Sequence, residues 1–173
     1  MDAISKQVGD CVLNADRDCS GMDLSGGDLS GASAFGSVFV GTRFADANLT
    51  GFSANEGDFT GADFTGATLD GLIVGKAALT AAMFDGAHGT EVTLNEARCD
   101  GASFRSVEFV EASFVSTQCA SASFTDAKLA DANFVGATLT GAHLNKAKLP
   151  GAMLRKANLT GASLREANLT GAG

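Results

Sequence analysis

The sequence predicts an all-β fold, a parallel β-solenoid in which each coil has four short sides. Three observations carry this. Every fifth residue from Leu24 to Leu169 is a core position: 24 of the 30 are Leu or Phe, and the residue two before each is Ala in 20 of them. Sixteen of the 22 Gly lie two residues after such a position, or at the equivalent place before Leu24. Finally, Phe44, Phe64, Phe84, Phe104 and Phe124 recur at intervals of 20, as do Cys99 and Cys119.

A period of five matches neither the 3.6 of a helix nor the 2 of a continuous strand. It fits three extended residues followed by a two-residue corner. In the segment 157–161, Ala157 and Leu159 point one way and Asn158 the other. Thr160 and Gly161 then turn the chain, and glycine suits a corner that needs positive φ. Like residues stack at a spacing of 20, so four corners close one coil. Thirty steps make about 7.5 coils, a rod roughly 36 Å long at about 4.8 Å per coil. Two exceptions conserve volume: Phe52 takes the Ala slot beside Ala54, and Leu72 takes it beside Val74. Gly89 is the one core position without a side chain, so a cavity or a local bulge is expected there.

The motif resembles that of the pentapeptide-repeat family, A(D/N)LXX. Matching copies include Ala47-Asn48-Leu49, Ala62-Asp63-Phe64, Ala132-Asn133-Phe134, Ala157-Asn158-Leu159 and Ala167-Asn168-Leu169. The resemblance implies a right-handed quadrilateral parallel β-helix. Residues 1–18 read as an N-terminal cap and 19–173 as the β-helix. The cap is expected to be a short helix, N-capped by Asp2 with Ile4 and Val8 on one face. It would cover the first coil, since an open solenoid end exposes strand edges; a partner-binding peptide is the alternative. At the other end, Leu164 and Leu169 are expected to pack against a second copy as a two-fold homodimer.

The formal charge is −8 and the pI about 4.6. Residues 1–100 carry 15 acids and 5 bases, a balance of −10; the remainder carries 5 acids and 7 bases, a balance of +2. Direct nucleic-acid binding is not expected of so acidic a chain. No 18-residue apolar run marks a membrane span, and no charged start with an apolar stretch marks a leader, so the cytoplasm is the expected compartment.

No catalytic, metal or cofactor site is read. Cys99 and Cys119 are inward and stacked, and read as buried thiols; a disulfide between Cys11 and Cys19 is open if the compartment is oxidising. No C-x-x-C pair suggests zinc. His88 and His143 point outward on different sides, away from any nucleophile. The segment 71–77 lacks the spacing and the final Ser or Thr of a phosphate-binding loop. The three N-x-T matches at Asn48, Asn158 and Asn168 arise from the repeat itself.

Charge columns follow from the 20-residue coil. Glu56, Lys76 and Glu96 alternate in sign, Asp85 stacks with Arg105, and Glu108 with Lys128; these read as exposed rungs. Glu91, Glu111 and Asp131 stack with like charge, which is destabilising. That column is either a solvated edge or the contact for a basic partner, and it is the candidate site. Arg155, Lys156 and Arg165 form a basic cluster near the far end, and the corner column through Gly41, Gly61, Ala81 and Gly101 is a flat edge of small residues.

The reading is therefore a non-catalytic, rigid, rod-like protein-binding or scaffold module with an unidentified protein partner. The resemblance implies a second reading. Some members of the family are acidic, rod-like dimers that mimic DNA and bind type II topoisomerase (DNA gyrase). This chain departs from them in its basic far half, in lacking a C-terminal helix, and in lacking register-breaking loops.

Overall fold

The computed structural model describes residues 6–8, as backbone, and residues 10–173. From Asp18 onward every parallel bridge joins a residue to the one 20 positions later, from Asp18↔Val38 to Lys148↔Asn168. The coil is therefore 20 residues long, with corners at five-residue intervals. Most sides are a single bridge wide. Two are longer: β3 (His88–Thr90) and β4 (Glu108–Val110) pair in parallel, with Gly89 opposite Phe109.

Each repeat has five slots: small inward, outward, large inward, first corner and second corner. The backbone bonds follow them. The large-slot N–H donates to the next coil's outward carbonyl, as Leu24 to Arg43 at 2.8 Å. The outward N–H donates to the previous coil's small-slot carbonyl, as Arg43 to Met22 at 2.9 Å. The second-corner N–H donates to the next coil's first-corner carbonyl, as Gly21 to Val40 at 2.8 Å. The corner is closed by a bond from the following small slot, as Ala47 N–H to the Phe44 carbonyl at 3.0 Å. Positive φ falls on the second corner residue, as in Gly161 at 70°, which is the signature of a type II turn.

Outside the β3–β4 pair the first-corner N–H makes no backbone bond, and this explains the outward Asp and Asn. Their Oδ1 accepts it from two residues on: Asp58 from Thr60 at 2.9 Å, Asn133 from Val135 at 3.0 Å, Asn168 from Thr170 at 3.0 Å. Alternatively a first-corner Asp or Asn accepts it from one coil later, as Asp100 from Ala120 at 2.9 Å. The single proline, Pro150, occupies a first-corner slot, where no N–H is needed and a fixed φ fits the turn.

Inside, the four walls line one continuous core. Phe44, Phe64, Phe84, Phe104 and Phe124 share one wall, with successive ring centroids 4.6–4.9 Å apart and planes within 9° of parallel. Phe114 stacks on Phe134 on another wall and meets Phe104 edge-on at 5.6 Å, favourable for ring quadrupoles. Polar side chains enter three small slots, Ser37, Thr42 and Thr117, and each is satisfied. Ser37 accepts the Arg17 N–H and donates to the Asn14 carbonyl; Thr42 donates to the Cys19 carbonyl at 2.8 Å. These two stitch the entering chain to the first full coil.

Two expectations change, and two points left open are resolved. The helical cap is replaced, as far as residue 8, by a hairpin: β1 (Lys6–Val8) pairs antiparallel with β2 (Cys11–Leu13), and Val8 faces Cys11 in register. Asp2 and Ile4 lie outside the described residues. The hairpin prevails because Cys11 and Leu13 alternate inward as strand residues and join the core at 1% exposure. Cys99 and Cys119 are disulfide-bonded rather than free, because inward stacking brings their Cα atoms to 4.5 Å, within disulfide reach. Cys11 and Cys19 are also bonded, with Cα atoms 5.6 Å apart. At Gly89 the register stays regular and the backbone of the preceding coil comes close: a Cβ there would lie 2.7 Å from the Leu69 carbonyl carbon.

Candidate partner-binding surface

The carboxylates fall into two populations. One builds the corners. Asp18, Asp23, Asp58, Asp63, Asp70, Asp85 and Asp100 all accept backbone N–H groups at first corners. Hydrogen bonds from the Ser20 side chain and then its N–H hold the Asp18 carboxyl below the usual aspartate range, and Ser25 does the same for Asp23. These acids are occupied by the fold.

The other population sits at second corners with positive φ: Asp16, Asp46, Asp126 and Glu166 on other corners, and Glu56 at 61°, Glu91 at 55°, Glu96 at 60°, Glu111 at 57° and Asp131 at 57°. All nine are exposed, and the last five make no carboxylate hydrogen bond or ion pair among the described residues. Left-handed backbone costs an L-residue about 1–2 kcal/mol that glycine avoids. In the column of Glu91, Glu111 and Asp131, the preceding coils carry Gly31, Gly51 and Gly71 and the following ones Gly151 and Gly171. The corners after β3 and β4 are also opened into bends without the closing bond, and these hold Glu91 and Glu111. Three strained, like-charged side chains thus replace glycine mid-rod.

The structure places those last five acids on one wall. Glu91, Glu111 and Asp131 form its leading edge; Glu56, Lys76 and Glu96 form its trailing edge. Between them the outward residues are Ser53, Ile73, Thr93, Ser113 and Asn133, with Ile73 41% exposed. A groove of about 340 Å³ opens along the trailing edge, between Phe35 and the Asn95–Glu96 corner. The expected Glu56–Lys76–Glu96 rungs do not form ion pairs among the described residues, so these charges are presented to solvent. The Asp85–Arg105 rung is also replaced: Asp85 accepts the Ser103 hydroxyl and the Arg105 backbone N–H. Lys128 does pair with Glu108, and its hydrogen bond followed by its charge lowers the Glu108 carboxyl. Arg43 pairs with Asp23 at 3.1 Å, a rung that sequence reading missed.

Sequence reading also missed the groove. Its signal was Phe35, the one Phe of 12 outside the inward register; it is 48% exposed, whereas the other 11 are buried. His88 meets Thr68 at 3.1 Å and lies, exposed, on a different wall from His143. Among the described residues no three His, Cys, Asp or Glu converge as metal ligands, and no helix is long and apolar enough to cross a membrane. At the far end Leu159 and Leu164 are half-buried against the core and Leu169 is 39% exposed.

Fold and surface define a β-solenoid repeat protein with a charged, exposed wall. The chain belongs to the pentapeptide-repeat family: the model of pentapeptide repeats, written for eight copies, matches residues 18–51, 42–77, 117–152 and 132–171. No curated protein matches the sequence. Among solved structures the chain is similar to a trypsin-treated variant of QnrB1, described as a plasmid-mediated fluoroquinolone resistance protein, at 21% identity and TM-score 0.82 over 91% of this chain and 83% of that one. A second trypsin-treated variant of QnrB1 matches at 20% identity and TM-score 0.70, over 92% and 89%. At these identities the likeness establishes the fold.

Proposed function

We propose that the protein is a non-catalytic, rigid rod that binds a basic protein partner through the acidic edge of Glu91, Glu111 and Asp131. The observation that carries this is the choice of three stacked carboxylates at positive-φ corners where neighbouring coils use glycine. Like charges stacked in successive coils repel, so a column that keeps three of them supports a use outside folding. A preformed solenoid needs little reorganisation, and an unpaired acidic edge steers a basic surface toward it. Expected on pull-down is capture of a partner whose binding weakens steeply with salt and is abolished in the triple variant Glu91→Lys, Glu111→Lys, Asp131→Lys. Unchanged capture by that variant removes the edge from the interface.

The second reading is the DNA mimic that binds type II topoisomerase. The −10 balance of residues 1–100 favours it, because stacked carboxylates can offer a basic groove a phosphate-like field. A DNA gyrase supercoiling assay with and without the protein tests it directly, and no change in supercoiling or in its drug sensitivity excludes it. We also propose that the apolar layer of Leu164 and Leu169 is covered by a second copy of the chain. Sedimentation is expected to give a dimer, and Leu169→Glu a monomer.

A further inference from the structure

We infer that the groove over Gly75 seats an arginine side chain of a basic partner segment. The inference rests on the protein-binding reading above and assigns it a second, distinct contact. Four first-corner residues stack along the groove: Phe35, Asn55, Gly75 and Asn95. The absent side chain at Gly75 makes the floor. Its N–H is held by Asn55 Oδ1 at 2.7 Å, and Asn95 Oδ1 is held by the Val115 N–H at 3.0 Å, so both amide walls are fixed in place. One end carries the exposed Phe35 ring, while the rim carries Glu56 and Glu96, unpaired, on either side of Lys76.

This combination suits one ligand chemistry. A planar cation can lie against an aromatic ring while a carboxylate binds its fork of N–H donors. A guanidinium meets both demands on a long, partly apolar stem that fills the notch. An ammonium offers no plane to the ring, and an anion meets two carboxylates for one Lys76. The acidic half of the rod supplies long-range attraction for such a segment.

The test is fluorescence anisotropy with a labelled hexapeptide of alternating arginine and glycine, and its lysine counterpart, on the full chain at low salt. Expected is tighter binding of the arginine peptide, with about a fivefold loss in Phe35→Ser and a larger loss in Glu56→Gln/Glu96→Gln. The matched control, Asp46→Asn/Asp126→Asn, removes the same charge from exposed second corners of the opposite column and is expected to change binding less than twofold, a margin of about 0.4 kcal/mol. Equal loss in both double variants overturns the groove while leaving the acidic-edge reading standing. Equal binding of the lysine peptide, or no effect of Phe35→Ser in a variant with native circular dichroism, also overturns it. No binding of either peptide overturns the groove and counts against the acidic edge as well.

Discussion

Gly89 shows how a single residue sets its own tolerance. Its Cβ direction meets the Leu69 carbonyl carbon at 2.7 Å and the Asp70 nitrogen at 3.0 Å, both backbone atoms that cannot swing aside. Gly89→Ala is expected to cost about 1–3 kcal/mol, the range for overpacking, read as a lowered urea midpoint at unchanged slope. Asp58 is the polar counterpart. Its Oδ1 accepts both the N–H and the hydroxyl of Thr60, at 2.9 and 2.7 Å. Asp58→Ala leaves a first-corner N–H without its cap and is expected to cost about 1 kcal/mol. The acidic edge should behave in the opposite way. Replacing Glu91, Glu111 and Asp131 by Gly relieves three positive-φ strains, so the melting temperature is expected to hold or rise while partner capture is lost. A fall in stability would show that those corners serve the fold.

At the scale of the element, the first coil joins the rest through groups sensitive to acid. Asp18 and Asp23 cap the Ser20 and Ser25 corners, and Asp23 also pairs with Arg43. Their carboxyls lie lower in the folded chain than in the unfolded one, because the serine hydrogen bonds favour the charged form. The stability they contribute is therefore complete above the ordinary aspartate range. It is lost as the pH falls through the lowered folded values. Glu108, held down by Lys128, follows the same sign from the ordinary glutamate range. Hydrogen exchange is expected to show amides around Ser20 and Ser25 losing protection, relative to the Phe104–Phe124 coils, as pH is lowered from about 5 to about 2. Uniform protection loss along the rod would show that these caps are not the weak point.

For the whole molecule, two covalent links act on different parts of one cooperative stack. Cys11–Cys19 ties the hairpin to the first coil, and Cys99–Cys119 ties two coils in mid-rod. Each closes a short loop of the unfolded chain, so each is expected to contribute about 2–3 kcal/mol in the chain-entropy account. Thiol titration of the protein isolated from its own cells without reductant is expected to find none of the four cysteines free until denaturant and reductant are added. Such links persist in oxidising compartments, so free thiols in that experiment would favour the cytoplasm and an unlinked tube. Charge also acts at this scale: the balance runs from −10 over residues 1–100 to +2 beyond, so salt should weaken partner binding without changing the fold.

The repeat by itself determined the winding. A strict period of five with Leu or Phe, Ala and Gly in register admits little but a tube, and the spacing of Phe64 and Phe84 placed them on one wall, where their rings stack at 4.6 Å. It also exposed Glu91, Glu111 and Asp131 as one column. What it could not separate was which acids are free. Asp70 and Asp100 look as available in sequence as Glu96, yet both cap N–H groups one coil away, at 2.8 and 2.9 Å. Likewise Cys99 and Cys119 become partners, and Phe35, Gly75 and Glu96 become one groove, only when coils 20 residues apart are stacked. Hydrogen bonds, disulfides and grooves depend on distances of a few ångström between coils, and those distances exist only once the tube is closed.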